Sequence, residues 1–324
     1  MAVPTVDLSG PISEVGAALD DACHRIGFVQ VIGHGLDPDL DDEAWTMARR
    51  FFGLPESEKA AVAIPSGDAY GYGPYLVERL AASRGAATPA DLKETFSIGP
   101  FVAAENVAGV VAADPAAAFA YSPNRWPASL PDMADVMHRH YDALADLAAR
   151  LLSAMAVGLG MADDTFAPAI DRHTSALRLL HYPNIDPTTV EPGQLRAGAH
   201  SDYGTLTLLR QDDAPGGLEV LDADGVWHAV PAHPGAYVVN IGDALERWTA
   251  GRWRSTLHRV QLPPADHSGS NERQSIAFFH NANWDAVIDC LEACRPIDGR
   301  VVEPPITAGR HLMERFRSTQ GAGA

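Results

Sequence analysis

The stretch Gly198-Ala199-His200-Ser201-Asp202-Tyr203-Gly204-Thr205-Leu206-Thr207-Leu208-Leu209 decides how this chain is read. It sets an imidazole and a carboxylate two residues apart, just ahead of an apolar, β-like run. Side chains two apart on extended backbone point the same way. His200 and Asp202 therefore share one side at the mouth of a strand. A second strand-like run, Ser255-Thr256-Leu257-His258-Arg259-Val260-Gln261-Leu262, carries His258. Two imidazoles and one carboxylate on one face of an iron(II) ion leave three coordination positions open. An oxygenase needs that vacancy, because dioxygen and an organic co-substrate must both reach the metal.

His-x-Asp alone is a weak signal in a chain with 13 histidines, so its weight comes from residues further downstream. A third strand-like run, Arg273-Gln274-Ser275-Ile276-Ala277-Phe278-Phe279, puts Arg273 and Ser275 on one face. A planar guanidinium grips a carboxylate through two parallel hydrogen bonds, and a hydroxyl adds a third. Bonds of this charge-assisted kind contribute about 1.5–3 kcal/mol each. Satisfied polar residues at strand ends would have to explain all five positions at once, which makes the joint pattern specific.

The wider sequence is similar to the isopenicillin N synthase-like branch of the 2-oxoglutarate/Fe(II) dioxygenases. The segment around His200 resembles that branch's iron-ligand region, as do Pro234-Gly235-Ala236-Tyr237-Val238-Val239-Asn240-Ile241-Gly242-Asp243 and Ser255–Val260. Gly27-Phe28-Val29-Gln30-Val31-Ile32-Gly33-His34-Gly35 resembles its N-terminal region. Asp91-Leu92-Lys93-Glu94-Thr95-Phe96 resembles a segment of many microbial members. The resemblance runs from about residue 3 to about residue 285, with the motifs in the family's order.

The resemblance implies a mainly β fold with flanking helices, a double-stranded β-helix of the jelly-roll, cupin-like kind. It implies Fe(II), 2-oxoglutarate as co-substrate and O2. His200, Asp202 and His258 match the metal ligands. Arg273 and Ser275 match the pair that binds the distal carboxylate of 2-oxoglutarate, and Tyr182 matches a tyrosine whose hydroxyl helps hold it. Plant members often carry Asn two residues before that tyrosine, where Leu180 stands here. Halogenating relatives replace the liganding carboxylate with a small residue, so the presence of Asp202 speaks against halogenation.

The activity so implied is oxygenation of a small molecule, by hydroxylation, desaturation or cyclisation, with release of succinate and CO2. Two other readings stay open. In an isopenicillin N synthase-type oxidase the Arg-x-Ser pair binds a substrate carboxylate and 2-oxoglutarate is not used. Gln320 resembles that enzyme's terminal glutamine, but the following Gly321-Ala322-Gly323-Ala324 departs from it. A non-catalytic small-molecule-binding protein on the same fold is the third reading, against which the intact triad argues.

Composition bounds these readings. With 46% hydrophobic and 20% charged residues, 324 residues suffice for one large soluble core. A formal net charge of −18 argues against nucleic acid or an anionic membrane as partner. Three cysteines, Cys23, Cys290 and Cys294, are an odd and low count that suits a reducing compartment rather than a disulfide framework. Cys290 and Cys294 are read as small, partly buried residues. No stretch approaches 18 apolar residues, and a basic-then-apolar leader is missing from the start. A cytoplasmic protein is expected; the oligomeric state is open.

One domain over residues 1–324 is expected, with a helix and strand region over 1–100 and a catalytic jelly-roll core over 172–285. Strands are expected at 5–8 and 28–32, and helices at 11–26, 37–53, about 131–159 and 309–317. The apolar stripe Met133, Met137, Tyr141, Leu144, Leu147, Leu151 and Met155 reads as core packing. Residues 65–90 read as a long irregular segment and residues 65–100 as a candidate lid. His228, His233, His267 and His280 read as ordinary histidines of the strand-rich half, with a place at the barrel mouth as the alternative for His280, which follows Phe278-Phe279. Arg178, four residues before Tyr182, is expected on the same strand face.

Overall fold

Short runs rich in apolar and β-branched residues build twelve strands into two facing sheets, and two short strands, Val287–Ile288 and Ile306–Thr307, pair apart from them. The computed structural model describes residues 2–84, 88–299 and 301–320. In chain order the strands are β1 (Thr5–Asp7), β2 (Phe28–Ile32), β3 (Gly71–Gly73), β4 (Glu94–Ile98), β5 (Ala176–Tyr182) and β6 (Ala197–His200). They continue as β7 (Leu206–Gln211), β8 (Leu218–Leu221), β9 (Trp227–Ala229), β10 (Tyr237–Ile241), β11 (His258–Val260) and β12 (Arg273–His280). Eight of them form one sheet in the order β1-β2-β10-β7-β12-β5-β4-β3, and four form the other in the order β6-β11-β8-β9. This is the expected double-stranded β-helix.

Each strand of the larger sheet sends alternate residues to opposite faces. Leu177 and Leu179 of β5, Ile276 and Phe278 of β12, and Leu206 and Leu208 of β7 join a core with the Met133–Gly158 helix. That helix buries Met133, Met137, Tyr141, Leu144, Leu147, Leu151 and Met155, the stripe read from its spacing. The opposite face looks toward the smaller sheet. There Leu180, Tyr182 and Ala277 pack with Ala197 and Val260, and Phe28 and Val238 pack with Leu218 and Val220. The space between the sheets thus has apolar walls, and polar side chains enter it only at chosen positions.

The helices at Ile12–Arg25, Pro38–Phe52 and Ala308–Gln320 fall close to the expected spans. The N-terminal quarter is not a separate layer, because β1 to β4 lie in the same sheet as β12. The segment 65–90 is less irregular than expected. β3 pairs with β4, and a 3-10 turn occupies Leu80–Arg84; residues 85–87 of that segment lie outside the described residues, as do Gly321–Ala324. Cys290 precedes a short 3-10 turn that ends on Cys294, and both are free thiols.

On the helix-facing side of β5, His181 bridges two carboxylates. Its ring nitrogens lie 2.7 Å from Glu94 Oε1 and 2.9 Å from Glu272 Oε1. Glu94 Oε2 also accepts from Lys59 Nζ at 2.7 Å and from the Tyr72 hydroxyl at 2.6 Å. Burial works against the charge on both groups, but the partners win. The Glu94 pKa is held down at about 2 and that of His181 is raised. The signs differ. Glu94 stabilises the fold above its ordinary pKa, and that contribution fades as pH falls toward 2. His181 stabilises the fold below its ordinary pKa, and that contribution fades as pH rises through its raised value. Glu94→Gln is expected to cost about 1–3 kcal/mol at pH 7, since it leaves the buried Lys59 only the exposed Glu56 carboxylate, 3.2 Å away. The loss should shrink toward pH 2 in thermal melts. His181→Gln should lower the melting temperature more at pH 6 than at pH 9; equal losses at both would show that its charge carries no weight.

Candidate active site

His200 ends β6 and His258 begins β11, and these strands are antiparallel neighbours with the two residues directly in register. The chain leaves β6 and turns into β7, and Asp202 lies in that turn. His200 Nε2 is 3.9 Å and His258 Nε2 is 3.6 Å from Asp202 Oδ1. The three donor atoms lie within 4.8 Å of one another, the only such group of three found among the described residues.

Each ligand is aimed by a partner behind it. His200 Nδ1 lies 2.7 Å from the carbonyl oxygen of Gly198, and His258 Nδ1 lies 3.1 Å from that of Thr256. A carbonyl only accepts, so Nδ1 must carry the proton and Nε2 keeps its lone pair for a metal. Asp202 Oδ2 accepts from Thr207 Oγ1 at 2.6 Å and from Asn240 Nδ2 at 2.7 Å, which leaves Oδ1 for the metal. Burial, and then the charge of His258, push the His200 pKa well below the usual imidazole value. Burial alone would raise the Asp202 pKa, but His258, His200, Asn240 and Thr207 together bring it below the ordinary value. Two imidazoles that turn Nε2 to one carboxylate are the donor set that iron(II) takes. The edge of Phe28 covers His258, with ring centroids 5.4 Å apart.

The peptide approach around the triad is tight. A Cβ on Gly242 would sit 2.3 Å from the Gly204 carbonyl oxygen. That contact lets Asp243 N donate to the Asp202 carbonyl at 2.7 Å. The C-terminal helix closes over the same turn: His311 Nε2 lies 3.2 Å from the Tyr203 carbonyl oxygen, and Phe316 meets the Tyr203 ring edge-on.

Further along the same interior, Arg273 is buried at 1% exposure. It donates to Gln211 Oε1 at 2.8 Å and to Ser275 Oγ at 3.3 Å. Its guanidinium lies over the Tyr182 ring, 5.0 Å from the centroid. Its nearest carboxylate, on Asp212, is 4.0 Å away, and its Nε has no partner. Arg196 is a second, fully buried guanidinium nearby. It donates to the carbonyls of Pro215 and Asn271 and to Asn271 Oδ1, and its Nε is also unpartnered. Burial, then the charge of Arg273, lower its pKa to about 10. Two buried cations held by neutral acceptors make an electropositive pocket that suits an incoming carboxylate.

His200, Asp202 and His258 are thus gathered at one point, and Arg273, Ser275 and Tyr182 at another on the inner face of the larger sheet. His280 does not join them. It is 1% exposed, its Nδ1 lies 2.7 Å from Thr205 Oγ1, and it shares the β12 face of Ile276 and Phe278. Odd and even positions on β12 face opposite ways, and His280 falls on the helix side. Asn240, Thr207, Gln211 and Arg196 were not assigned from sequence. The signal for Asn240 and Thr207 was a polar residue interrupting an apolar strand; nothing in the sequence marks Arg196.

Comparison with known proteins agrees with this geometry. A family described as "2OG-Fe(II) oxygenase superfamily" matches residues 173–282, and "non-haem dioxygenase in morphine synthesis N-terminal" matches residues 3–129. A 2-oxoglutarate-Fe(II) type oxidoreductase of Aspergillus fumigatus is 36% identical over 92% of this chain and 86% of its own length. Validamycin A dioxygenase of Streptomyces hygroscopicus subsp. limoneus is 30% identical over 97% of this chain and 85% of its own. Among solved structures, a full-length Neurospora crassa protein in complex with α-ketoglutarate and thymine superposes with a TM-score of 0.84 at 29% identity, covering 98% of this chain and 97% of that one. A 2OG-Fe(II) oxygenase family protein of Caulobacter crescentus does so with a TM-score of 0.83 at 34% identity, covering 98% of each. Sequence, fold and the gathered ligand set lead to one assignment: the chain belongs to the 2OG-Fe(II) oxygenase superfamily.

Proposed function

We propose that His200, Asp202 and His258 hold the iron(II) of a 2-oxoglutarate-dependent oxygenase, and that Arg273, Ser275 and Tyr182 hold the distal carboxylate of 2-oxoglutarate. The observation that carries this reading is Arg273: a guanidinium buried at 1% exposure, on the strand next to β7, with only neutral hydrogen-bond acceptors. The metal supplies oxidation by dioxygen when bound. The chain's own residues orient the two imidazoles, fix which carboxylate oxygen faces the metal, and keep water from the interior. Small-molecule substrates suit the relatives, which include the thymine-bound Neurospora crassa protein and proteins named homoarginine-6-hydroxylase. Hydroxylation is the default outcome, since it needs no second hydrogen abstraction. An isopenicillin N synthase-type reaction would leave Arg273 to the substrate and yield no succinate.

Anaerobic titration with Fe(II) and then 2-oxoglutarate should produce a weak visible charge-transfer band. In Arg273→Ala the 2-oxoglutarate Kd should rise by about 100-fold or more, the loss of roughly 3 kcal/mol of charge-assisted bonding. Iron binding without the band would instead favour the oxidase that does not use 2-oxoglutarate.

Removing the groups that aim Asp202 tests the metal site separately. Asn240→Ala and Thr207→Val are each expected to weaken Fe(II) binding by about 10–100-fold. Unchanged affinity in competition with a chelator would mean that Asp202 does not ligate.

A further inference from the structure

Once the metal ligands and the pocket around Arg273 are set aside, one polar cluster remains on the inner face of the larger sheet. Arg178 of β5 shares its strand face with Leu180 and Tyr182, and Thr95 of β4 lies beside it. Arg178 Nη2 donates to Glu78 Oε1 and, at 3.2 Å, to Thr95 Oγ1. Glu78 Oε2 lies 3.2 Å from Lys93 Nζ, and Asp91 Oδ2 lies 3.2 Å from the same nitrogen. Lys93 Nζ is almost fully buried and makes no well-formed hydrogen bond, and Arg178 Nε has no partner at all. Glu78 Oε2 is likewise without a well-formed hydrogen bond, so both donors and an acceptor of the cluster keep unused capacity.

The cluster adjoins the metal site. Asp91 Oδ1 accepts from Gly198 N at 2.9 Å, and the carbonyl of Gly198 orients His200. Lys93 is near enough for its charge to act on His200. Glu78 is the most open member, with 26% of its side chain exposed against 1% for Lys93 and 2% for Asp91. It stands on a loop, two residues after Leu76, whose φ of 65° is left-handed. For a γ-branched residue that conformation is costly and is held only by its surroundings. The loop thus presents Glu78 to two cations fixed on the sheet.

We infer that the Glu78–Arg178–Lys93–Asp91 cluster anchors the primary substrate and takes a zwitterionic head group, an ammonium and a carboxylate close together as in a free amino acid. The inference rests on the oxygenase reading above. Its reason is charge balance. The cluster holds two cations and two anions and is neutral as it stands. A lone carboxylate or a lone ammonium would leave one buried charge uncompensated, which is costly. A neutral group would exchange an ion pair for weaker bonds. A zwitterion replaces the Glu78–Arg178 pair one for one: its carboxylate takes Arg178 and Lys93, and its ammonium takes Glu78.

The test is isothermal titration of the protein loaded anaerobically with Fe(II) and 2-oxoglutarate. The probes are L-arginine, L-lysine, L-leucine and L-phenylalanine, each beside the amine lacking its carboxylate and the acid lacking its α-ammonium. At least one amino acid should bind ten-fold or more tightly than both of its partners. Glu78→Gln and Arg178→Gln should each weaken that binding at least ten-fold and leave 2-oxoglutarate affinity within two-fold; Arg178→Lys should recover part of it. The inference is overturned if an amine or acid binds as well as its amino acid, if no amino acid binds, or if both substitutions leave affinity unchanged. Failure of the charge-transfer band would sink the co-substrate reading instead, and the same titration of metal-free protein would still test the anchor, which lies on the sheet and not on the iron.

Discussion

The pairing of β12 between β5 and β7 is the constraint on which both core and pocket depend. Along this strand Ile276 and Phe278 face the helices, while Arg273, Ser275 and Ala277 face the interior. Its register aligns Arg273 with Tyr182 on one side and Ser275 with Gln211 on the other. A slip of one residue would drive a guanidinium into the helix core and a phenyl ring into the cavity. The apolar burial that stabilises the sheet therefore also fixes where a carboxylate can be held. The same holds for the smaller sheet, where the direct pairing of His258 with His200 brings together ligands 58 residues apart in sequence.

Much of this is legible in the sequence because strand periodicity carries direction. Spacing alone places His200 with Asp202, and Arg273 with Ser275, on shared faces. Helical spacing places Leu144, Leu147 and Leu151 in the core. The parts that stay hidden depend on partners far apart in the chain. Arg196 and Asn271 meet across 75 residues, and Glu78 and Arg178 across 100. No local pattern encodes such meetings. His280 is a buried strand histidine, the ordinary reading for its kind. Its context, after two phenylalanines, leaves the barrel mouth open as an alternative, which the parity of β12 removes by sending it to the helix side. The short strand β3 escapes a sequence reading because two of its three residues are glycines, which signal a loop by composition and are held in a strand here by β4.

The chain carries −18 overall, yet its interior gathers Arg196, Arg273, Arg178 and Lys93. A co-substrate that is a dianion must approach a surface that repels it. Screening resolves part of this conflict, since exposed charges act over only about 8 Å at physiological ionic strength. Inside the barrel the field is less screened, and the two guanidiniums at the Arg273 end have no carboxylate closer than Asp212, at 4.0 Å from Arg273. The cations at the other end, Arg178 and Lys93, are matched by Glu78 and Asp91. The two ends of the interior thus differ in kind. One is a net positive pocket that is completed by an anion, and the other is a balanced cluster that a single charge would unbalance. The two ends are therefore not interchangeable for a charged group.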